Sequence, residues 1–212
     1  DWNSYETSWD FMTFPLLDMG APDDKLETRW ILLKTKWQQI TSEMQRLEQE
    51  NNSIFIQAYQ LQAELNPAVA LSNITLSCNP RFRYGEDKTD DQLERLLLSD
   101  TIKDFLSYAV GCMFGRYSLE KPGLILANQG DTKDEYKTFV PNSSFLIDDD
   151  NVIPVLDGDW FSDDVSERFR KFLRLSCGDK YYEDNLQFVE NALGKDIRKY
   201  FLKDFYNDHV RR

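Results

Sequence analysis

The chain has 212 residues, which is enough for one or two domains. Hydrophobic residues make up 41% of it and aromatic residues 14%, so the composition supports a packed core and argues against wholesale disorder. The formal net charge of -12 disfavours a dedicated nucleic-acid-binding module, because contacts with phosphates require lysine and arginine.

Residues 1–22 are rich in aromatic residues and predict an irregular lead-in that packs its rings on another part of the chain. A long helix is predicted next, with Asp23 or Asp24 as its N-cap. Its apolar residues recur at alternating spacings of four and three, which is a heptad pattern. They are Leu26, Trp30, Leu33, Trp37, Ile40, Met44, Leu47, Ile54, Ala58, Leu61 and Leu65. The pattern predicts either one helix of roughly 40 residues ending at Asn66-Pro67, or a helix that breaks near the polar slot at Asn51.

A stripe of this length needs a partner to cover it. Two arrangements remain open, a dimeric coiled coil and an intramolecular helical hairpin or bundle. The bulk of Trp30 and Trp37 favours the intramolecular arrangement, since a tight two-stranded seam accommodates such side chains poorly.

Residues 67–90 are predicted to be extended, with a short strand at 71–78. Asp90 or Asp91 is the predicted cap of the next helix, which continues into a glycine-containing tract at 107–123. Gly111 and Gly115 lie four residues apart in this apparent helix, and each costs roughly 1 kcal/mol relative to alanine. The spacing therefore predicts a close approach by another element, for which the long heptad helix is a candidate.

Residues 124–160 are predicted to form an extended linker with a strand-like stretch at 152–156. Helices are predicted again over 161–212, the first capped by Ser162, Asp163 or Asp164 and the second ended by Gly194. The last helix is expected to run from 197 to 210. The predicted fold is therefore mainly α: a long heptad-patterned helix and its helical region over 23–123, and a helical bundle, with a few short strands or extended loops.

Candidate catalytic motifs are weak. The sequence Asn79-Pro80-Arg81-Phe82 is similar to the Asn-Pro-Pro-Phe box of amino-methyltransferases, but Arg81 replaces a proline and no glycine-rich cofactor turn precedes it. Three nuclease-like acid-x-lysine triplets, at 23–25, 86–88 and 135–137, are expected by chance in so charged a chain. The acidic segment 157–164 fails as a calcium loop, because Phe161 occupies a ligand position. We therefore expect no catalytic, cofactor-binding or metal-binding residue in this chain.

Positive charge is concentrated near the end of the chain. Residues 194–212 hold six cations and three acids, a net charge of +3, which leaves -15 for the rest of the total of -12. Three further arginines stand beside aromatic residues, where they can contact phosphates and bases or make buried cation–aromatic contacts. The candidate DNA contacts are Arg81, Arg83, Arg116, Lys195, Arg198, Lys199 and Lys203.

The three cysteines are far apart and form no CxxC pair, which is typical of free thiols in a reducing cytoplasm. No apolar run approaches the roughly 18 residues of a membrane span, so a membrane partner is not expected. The chain begins without methionine and ends in an apparent helix, and we interpret it as an internal piece of a longer polypeptide.

Several separate segments carry a family resemblance. Three segments are similar to the region that follows the methyltransferase core in large restriction–modification enzymes: Ser8-Trp-Asp-Phe11 followed by Pro15-Leu16, residues 52–61, and Glu64-Leu-Asn-Pro67. The segments at 74–80, 107–123, 152–160 and 194–205 resemble more narrowly the PglX family, adenine-specific DNA methyltransferases of bacteriophage-exclusion (BREX) defence systems.

The resemblance implies a parent enzyme that uses S-adenosylmethionine to methylate adenine N6 in double-stranded DNA. It also implies that the cofactor turn and the catalytic box lie upstream of residue 1, so no catalytic residue is carried over to this chain. The expected function is a non-catalytic region that connects the catalytic core to the DNA reader. The alternative is a module that binds another defence protein, and a nuclease element is the third reading.

Overall fold

The computed structural model describes residues 1–158 and 160–211. Asp159 of the acidic segment and Arg212, the last cation of the predicted basic tail, lie outside the described residues. The predicted mainly α fold is confirmed, and the described residues contain no β-strand. Their α-helices are α1 (Leu26–Ala58), α2 (Pro80–Tyr84), α3 (Asp90–Met113), α4 (Lys133–Phe139), α5 (Val165–Cys177), α6 (Tyr182–Leu193), α7 (Ile197–Lys203) and α8 (Phe205–Val210).

The chain divides into two compact units. The first consists of residues 1–2 and 31–97, and the second of residues 3–30 together with the chain from Leu98 onward. Each unit has buried apolar residues of its own. Those of the first include Leu33, Trp37, Ile74, Cys78, Leu93 and Leu97.

Helix α1 is a single helix of 33 residues that runs through Asn51 without a break. It ends at Ala58 rather than at the predicted Asn66-Pro67, because Gln60 adopts the left-handed conformation with φ of 55°. The Leu61 amide then donates to the Ile56 carbonyl at 2.9 Å, which is the 6→1 bond of a Schellman motif.

The predicted N-caps of α1 and α3 are wrong. Asp24 accepts from the Ala21 amide within a turn, and the first amide of α1, that of Leu26, donates instead to the Asn185 side chain at 2.9 Å. Helix α3 is capped by Thr89, whose hydroxyl and amide pair with the amide and side chain of Gln92 in a capping box.

The strand predicted at 71–78 is wrong because this segment forms successive turns. Residues Leu71–Asn73 form a 3₁₀ turn, and the amides of Ile74, Leu76 and Asn79 donate to carbonyls only two or three residues back. The strand-like stretch at 152–156 is also non-helical coil in the structure.

The segment 124–160, predicted to be an extended linker, contains helix α4. A capping box between Thr132 and Glu135 starts this helix, and it buries Tyr136 in a small cluster with Ile125 and Val140. A short helix of this kind has too few apolar residues for its periodicity to be visible in the sequence.

The C-terminal helices begin and end largely as predicted. Asp164 caps α5 by accepting from the Glu167 amide at 2.9 Å, and Gly194 ends α6 in the left-handed conformation with φ of 68°. The predicted last helix is divided in two at Asp204, where φ of -119° is far from the usual helical value of about -63°.

Aromatic rings dominate the core of the second unit. The lead-in places Phe11 and Phe14 in buried positions as predicted, but its tryptophans, Trp2 and Trp9, are 64% and 88% exposed and do not pack as predicted. Phe11 contacts Tyr117 with 5.2 Å between ring centroids, and Phe14 contacts Phe105 at 5.5 Å. Phe105 in turn contacts Phe172 of α5 at 5.5 Å. The irregular lead-in is thereby fixed to α3 and α5.

Candidate nucleic-acid interface

The short helix α2 carries the first two candidate cations, Arg81 and Arg83. The Arg81 guanidinium forms an ion pair with Asp90 and donates to the Lys88 carbonyl at 3.4 Å. Arg83 is exposed, and its guanidinium lies 5.4 Å from the centre of the Tyr84 ring. Arg81 thus holds the turn between α2 and α3, whereas Arg83 faces solvent.

Asn79, the first residue of the box-like motif, has a structural role. It is 2% exposed, and its amide nitrogen donates to the carbonyls of Leu71 at 2.7 Å and Ile74 at 2.8 Å. Its side-chain oxygen accepts from the Arg81 amide at 3.1 Å and so caps α2. Since these bonds use both ends of the amide, Asn79 is not arranged to accept hydrogens from a target amine.

Arg116 follows the end of α3, where the two glycines have different roles. Gly115 lies beyond the helix with φ of 75°, and the Arg116 amide donates to the Gly111 carbonyl at 2.8 Å, so a Schellman motif ends the helix. The prediction that Gly115 lies inside a helix is therefore wrong.

Gly111 permits the predicted close approach, but the neighbour is the Tyr117 ring. A Cβ atom at Gly111 would stand 2.6 Å from Cδ2 of Tyr117, in the same tract. Arg116 is exposed, and its Nε donates to the Tyr117 hydroxyl at 3.2 Å. Burial raises the pKa of Tyr117, and the Arg116 hydrogen bond offsets this only in part. Arg116 is thus positioned at the surface by a buried neutral phenol.

The remaining four candidates lie on or beside α7, and they face different ways. Lys199 is exposed and pairs with Asp196 at 2.9 Å, one turn earlier. Lys203 is exposed and forms no ion pair with any residue that the structure describes. Lys195 is half-buried and pairs with Asp204 at 2.6 Å.

Arg198 points into the second unit. It forms an ion pair with the fully buried Asp164, the cap of α5. It also donates to the carbonyls of Leu156 at 3.1 Å and Gly158 at 3.2 Å. This arginine therefore links α7 to the start of α5 and to the preceding loop.

The structure brings the candidates together in three places. Arg81 and Arg83 share α2 in the first unit, while Arg116 stands alone after α3 in the second. The α7 group lies in the second unit, and within it Lys199 and Lys203 are one helical turn apart. These cations can neutralise phosphates, but their arrangement presents no group that could make or break a covalent bond.

The nuclease-like triplets take part in local structure. Glu135 caps α4, and its pKa is lowered by hydrogen bonds from Thr132. Lys88 donates to the Tyr84 carbonyl at 2.8 Å, and Lys25 pairs with Asp184 at 2.6 Å. Across residues 1–158 and 160–211, no group of three or more His, Cys, Asp or Glu side chains could hold a metal ion.

The three cysteines are free and buried. Burial raises the pKa of each thiol, and hydrogen bonds from neighbouring side chains offset the effect only in part. Thiolate formation at neutral pH is therefore disfavoured, which makes these residues poor nucleophiles.

Two surface features were missed from the sequence. The first is the exposed apolar stretch of α1, which includes Leu47 and Ile54. The second is a cavity of about 220 Å³ in the first unit, lined by Trp37, Cys78, Leu93 and neighbouring residues. The heptad pattern predicts the apolar stretch of α1 but not that it stays exposed. No sequence pattern indicates the cavity. No helix in the described residues is both long and apolar enough to cross a bilayer.

Comparison with known proteins confirms the predicted resemblance. The whole chain aligns with the adenine-specific methyltransferase BrxX of Escherichia coli O9:H4 (strain HS), at 31% identity over 232 aligned positions and 18% of that protein's length. It also aligns, over 99% of its length, with the adenine-specific methyltransferase PglX of Lacticaseibacillus casei (strain Zhang), at 36% identity and 17% of that protein's length. The chain therefore spans less than a fifth of the curated relatives it matches. No protein-family model matches the chain.

Proposed function

Since the chain is related over its whole length to a stretch of adenine-specific methyltransferases, we propose that it is a non-catalytic region of such an enzyme. The enzyme would use S-adenosylmethionine to methylate adenine N6 in DNA, in the cytoplasm, as part of BREX-type phage defence or restriction–modification. This region would connect the catalytic core to the DNA reader and orient them. The identity of 31–36% across the full chain carries the proposal.

Local structure supports the non-catalytic part of the proposal. Asn79 is the residue of the box-like motif that would accept hydrogens from the target amine, and capping and turn hydrogen bonds occupy its amide. The cofactor and the reacting adenine would bind elsewhere in the enzyme. A connecting role suits long uninterrupted helices, since α1 with 33 residues is about 50 Å long.

The exposed cations supply the proposed contacts with DNA. We assign phosphate contact to Arg83, Arg116, Lys199 and Lys203, whose side chains face solvent. The other three candidates, Arg81, Lys195 and Arg198, are only partly exposed. They would hold the backbone that presents the exposed cations, through their ion pairs with Asp90, Asp204 and Asp164. Contacts of this kind fix the position of a protein on a duplex and carry no sequence information directly.

Salt-dependent DNA binding by the full-length enzyme tests this assignment. Replacing Lys199 and Lys203 together with alanine should weaken affinity and reduce the slope of log affinity against log salt by about 2, since each phosphate contact contributes about 0.9. Lys137→Ala is the matched control, because Lys137 is exposed and pairs with Asp134 three residues earlier, as Lys199 does with Asp196. An unchanged slope in the double variant would exclude α7 from the DNA contact.

Calorimetry tests the non-catalytic part separately. S-adenosylmethionine titrated into this 212-residue chain should give no binding heat, whereas the full-length enzyme should bind it. Saturable binding to the chain would refute the proposal, because a cofactor site would then lie within it.

A second candidate function is a module that binds another defence protein. The net charge of -12 and the exposed apolar stretch of α1 favour it. A nuclease element has no comparable support, since its triplets are engaged in caps and ion pairs. Metal-dependent cleavage of plasmid DNA by the chain would be required to revive it.

A further inference from the structure

The second half of α1 carries an exposed apolar row that keeps the heptad spacing. We call Ile40, Met44, Leu47, Asn51 and Ile54 the α1 seam. Its apolar members are 37–59% exposed, although the same pattern is buried at Leu33 and Trp37. If Leu33 is assigned heptad position d, then Ile40, Leu47 and Ile54 also occupy d, and Met44 and Asn51 occupy a. The seam is therefore one continuous a/d stripe.

One flank of the helix beside the seam is already covered, whereas the seam itself stays exposed. The Gln45 side chain donates to the Val69 carbonyl at 2.8 Å, and the Asn52 side chain donates to the Pro67 carbonyl at 3.3 Å. These bonds hold the returning segment 67–69 along positions b of the heptad. The segment leaves positions a and d exposed.

The geometry of the seam indicates the shape of its partner. Alternating spacings of four and three produce the holes that receive side chains of another helix with the same repeat. A strand or an irregular loop would match only part of the stripe. Asn51 at position a requires a polar group opposite it, which specifies register in coiled coils at a cost in stability.

Charge at the flanking positions indicates the chemistry of that partner. The e and g positions beside the seam are Thr41, Glu43, Glu48, Glu50, Phe55 and Gln57. They include three glutamates and no cation. Arg46 pairs with both Glu43 and Glu50 from position c, which leaves residues 40–58 with three acids against one base, a net charge of -2.

A second copy of the chain fits this surface poorly. In a parallel pair Glu43 at g would face Glu48 at e of the other copy, and the contact would occur twice. In an antiparallel pair, e faces e and g faces g, so glutamate again faces glutamate. Like charges in these positions repel, whereas lysine or arginine opposite them would attract.

We propose that the α1 seam binds an amphipathic helix of another protein, with an apolar heptad stripe flanked by lysine or arginine. The inference rests on the second candidate function and is independent of methyl transfer. If the seam binds no helix, the proposed connecting role still stands. If replacing Lys199 and Lys203 does not change DNA binding, the proposal for the seam still stands.

A synthetic helical peptide of four heptads is the probe. It carries leucine and isoleucine at a and d, one asparagine at a, and lysine at e and g. Fluorescence anisotropy should show saturable binding to the 212-residue chain. A peptide with glutamate at e and g should bind at least about tenfold more weakly, because the flanking charges select the partner.

Two double variants locate the contact. Leu47→Glu with Ile54→Glu should weaken binding of the lysine peptide at least about tenfold, since it places charges in the centre of the interface. Ile31→Glu with Leu32→Glu is the control, because these residues are 52% and 44% exposed on the same helix but lie outside the seam. Circular dichroism should show equal helix content in both.

Three outcomes would overturn the proposal. Equal binding by both peptides would mean non-specific apolar adhesion. Equal binding by the seam and control variants would place the contact elsewhere. A concentration-dependent dimer that Leu47→Glu with Ile54→Glu abolishes in sedimentation equilibrium would make a second copy the occupant.

Discussion

Leu33 and Leu47 occupy the same heptad position of α1, two repeats apart, yet Leu33 is 1% exposed and Leu47 is 46% exposed. Sequence spacing treats them as equivalent, because both belong to one apolar stripe. The structure shows that the heptad pattern predicts the helix and its face without predicting how far along the helix that face is covered. The exposed half is where we infer a partner.

The same contrast between a buried and an exposed side chain occurs at two adjacent residues of α7, where we expect the largest difference in stability. Arg198→Met should destabilise the protein by about 3–5 kcal/mol, because it leaves the fully buried carboxylate of Asp164 without its charge partner. Lys199→Met, one residue on and exposed, should change stability by about 0.5 kcal/mol or less. Urea unfolding measures both. Equal losses would mean that Arg198 contributes no more than a surface cation.

The α1 stripe itself is tested by one substitution at two positions. Leu33→Ala should cost about 2–5 kcal/mol, since it opens a cavity in a packed core. Leu47→Ala should cost less than about 1 kcal/mol, because its side chain already contacts water. Both values come from chemical unfolding of the chain. A similar cost at the two positions would show that the seam is already covered within the chain.

Gly111 provides a third contrast, between helix propensity and packing. Gly111→Ala gains about 1 kcal/mol of helix propensity but overpacks the Tyr117 ring, which should cost about 1–3 kcal/mol. The net result should be destabilisation by thermal or urea unfolding. Repeating the change in a Tyr117→Leu background should remove most of the cost. If alanine stabilises the original chain instead, the ring moves aside freely.

The smallest expected effect concerns Asp148, which is 4% exposed and pairs with Arg168. Burial raises the pKa of this carboxyl, but the amides of Val152 and Asp150 and the charge of Arg168 outweigh burial, so the pKa lies below the ordinary 3.8. A depressed pKa contributes stability that is present above 3.8 and is lost as pH falls through the lower folded value.

Unfolding free energies measured between pH 6 and pH 3 test this linkage. The parent chain should lose stability at the acid end, and Asp148→Asn should lose less of it over the same interval. Asp149→Asn is the control. Its pair with Lys133 also lowers the pKa of Asp149, but this carboxyl is exposed, so solvent screens the pair and its loss should change the pH dependence little. Parallel curves for all three proteins would contradict the assignment.

Features determined by nearby residues could be predicted from the sequence. The Asp164 cap and the Gly194 helix end involve residues at most a few positions apart. The first amide of α1 could not be assigned, since its acceptor Asn185 lies 159 residues away. The prediction of a strand at 71–78 was wrong because the side-chain amide of Asn79 donates to two carbonyls of this segment and holds it in turns.

The candidate interface was predictable in composition but not in orientation. Seven cations could be named from charge and neighbouring aromatics, yet Arg198 and Lys199 are adjacent and the sequence does not distinguish them. The role of Arg198 depends on Asp164, which is 34 residues away in the sequence, whereas Lys199 pairs with Asp196 three residues earlier. The prediction of a methyltransferase parent came from the family resemblance. Neither the periodicity nor the spacing of the residues indicates that function.

The most direct test of the central claim is methyl transfer to DNA by the full-length enzyme that carries Lys199→Ala and Lys203→Ala. The rate should be measured as a function of DNA concentration at saturating S-adenosylmethionine. A region that connects and positions predicts a higher DNA concentration for half-maximal rate with an unchanged maximal rate. A lower maximal rate at saturating DNA, together with weaker S-adenosylmethionine binding, would contradict the account, because the region would then belong to the catalytic machinery.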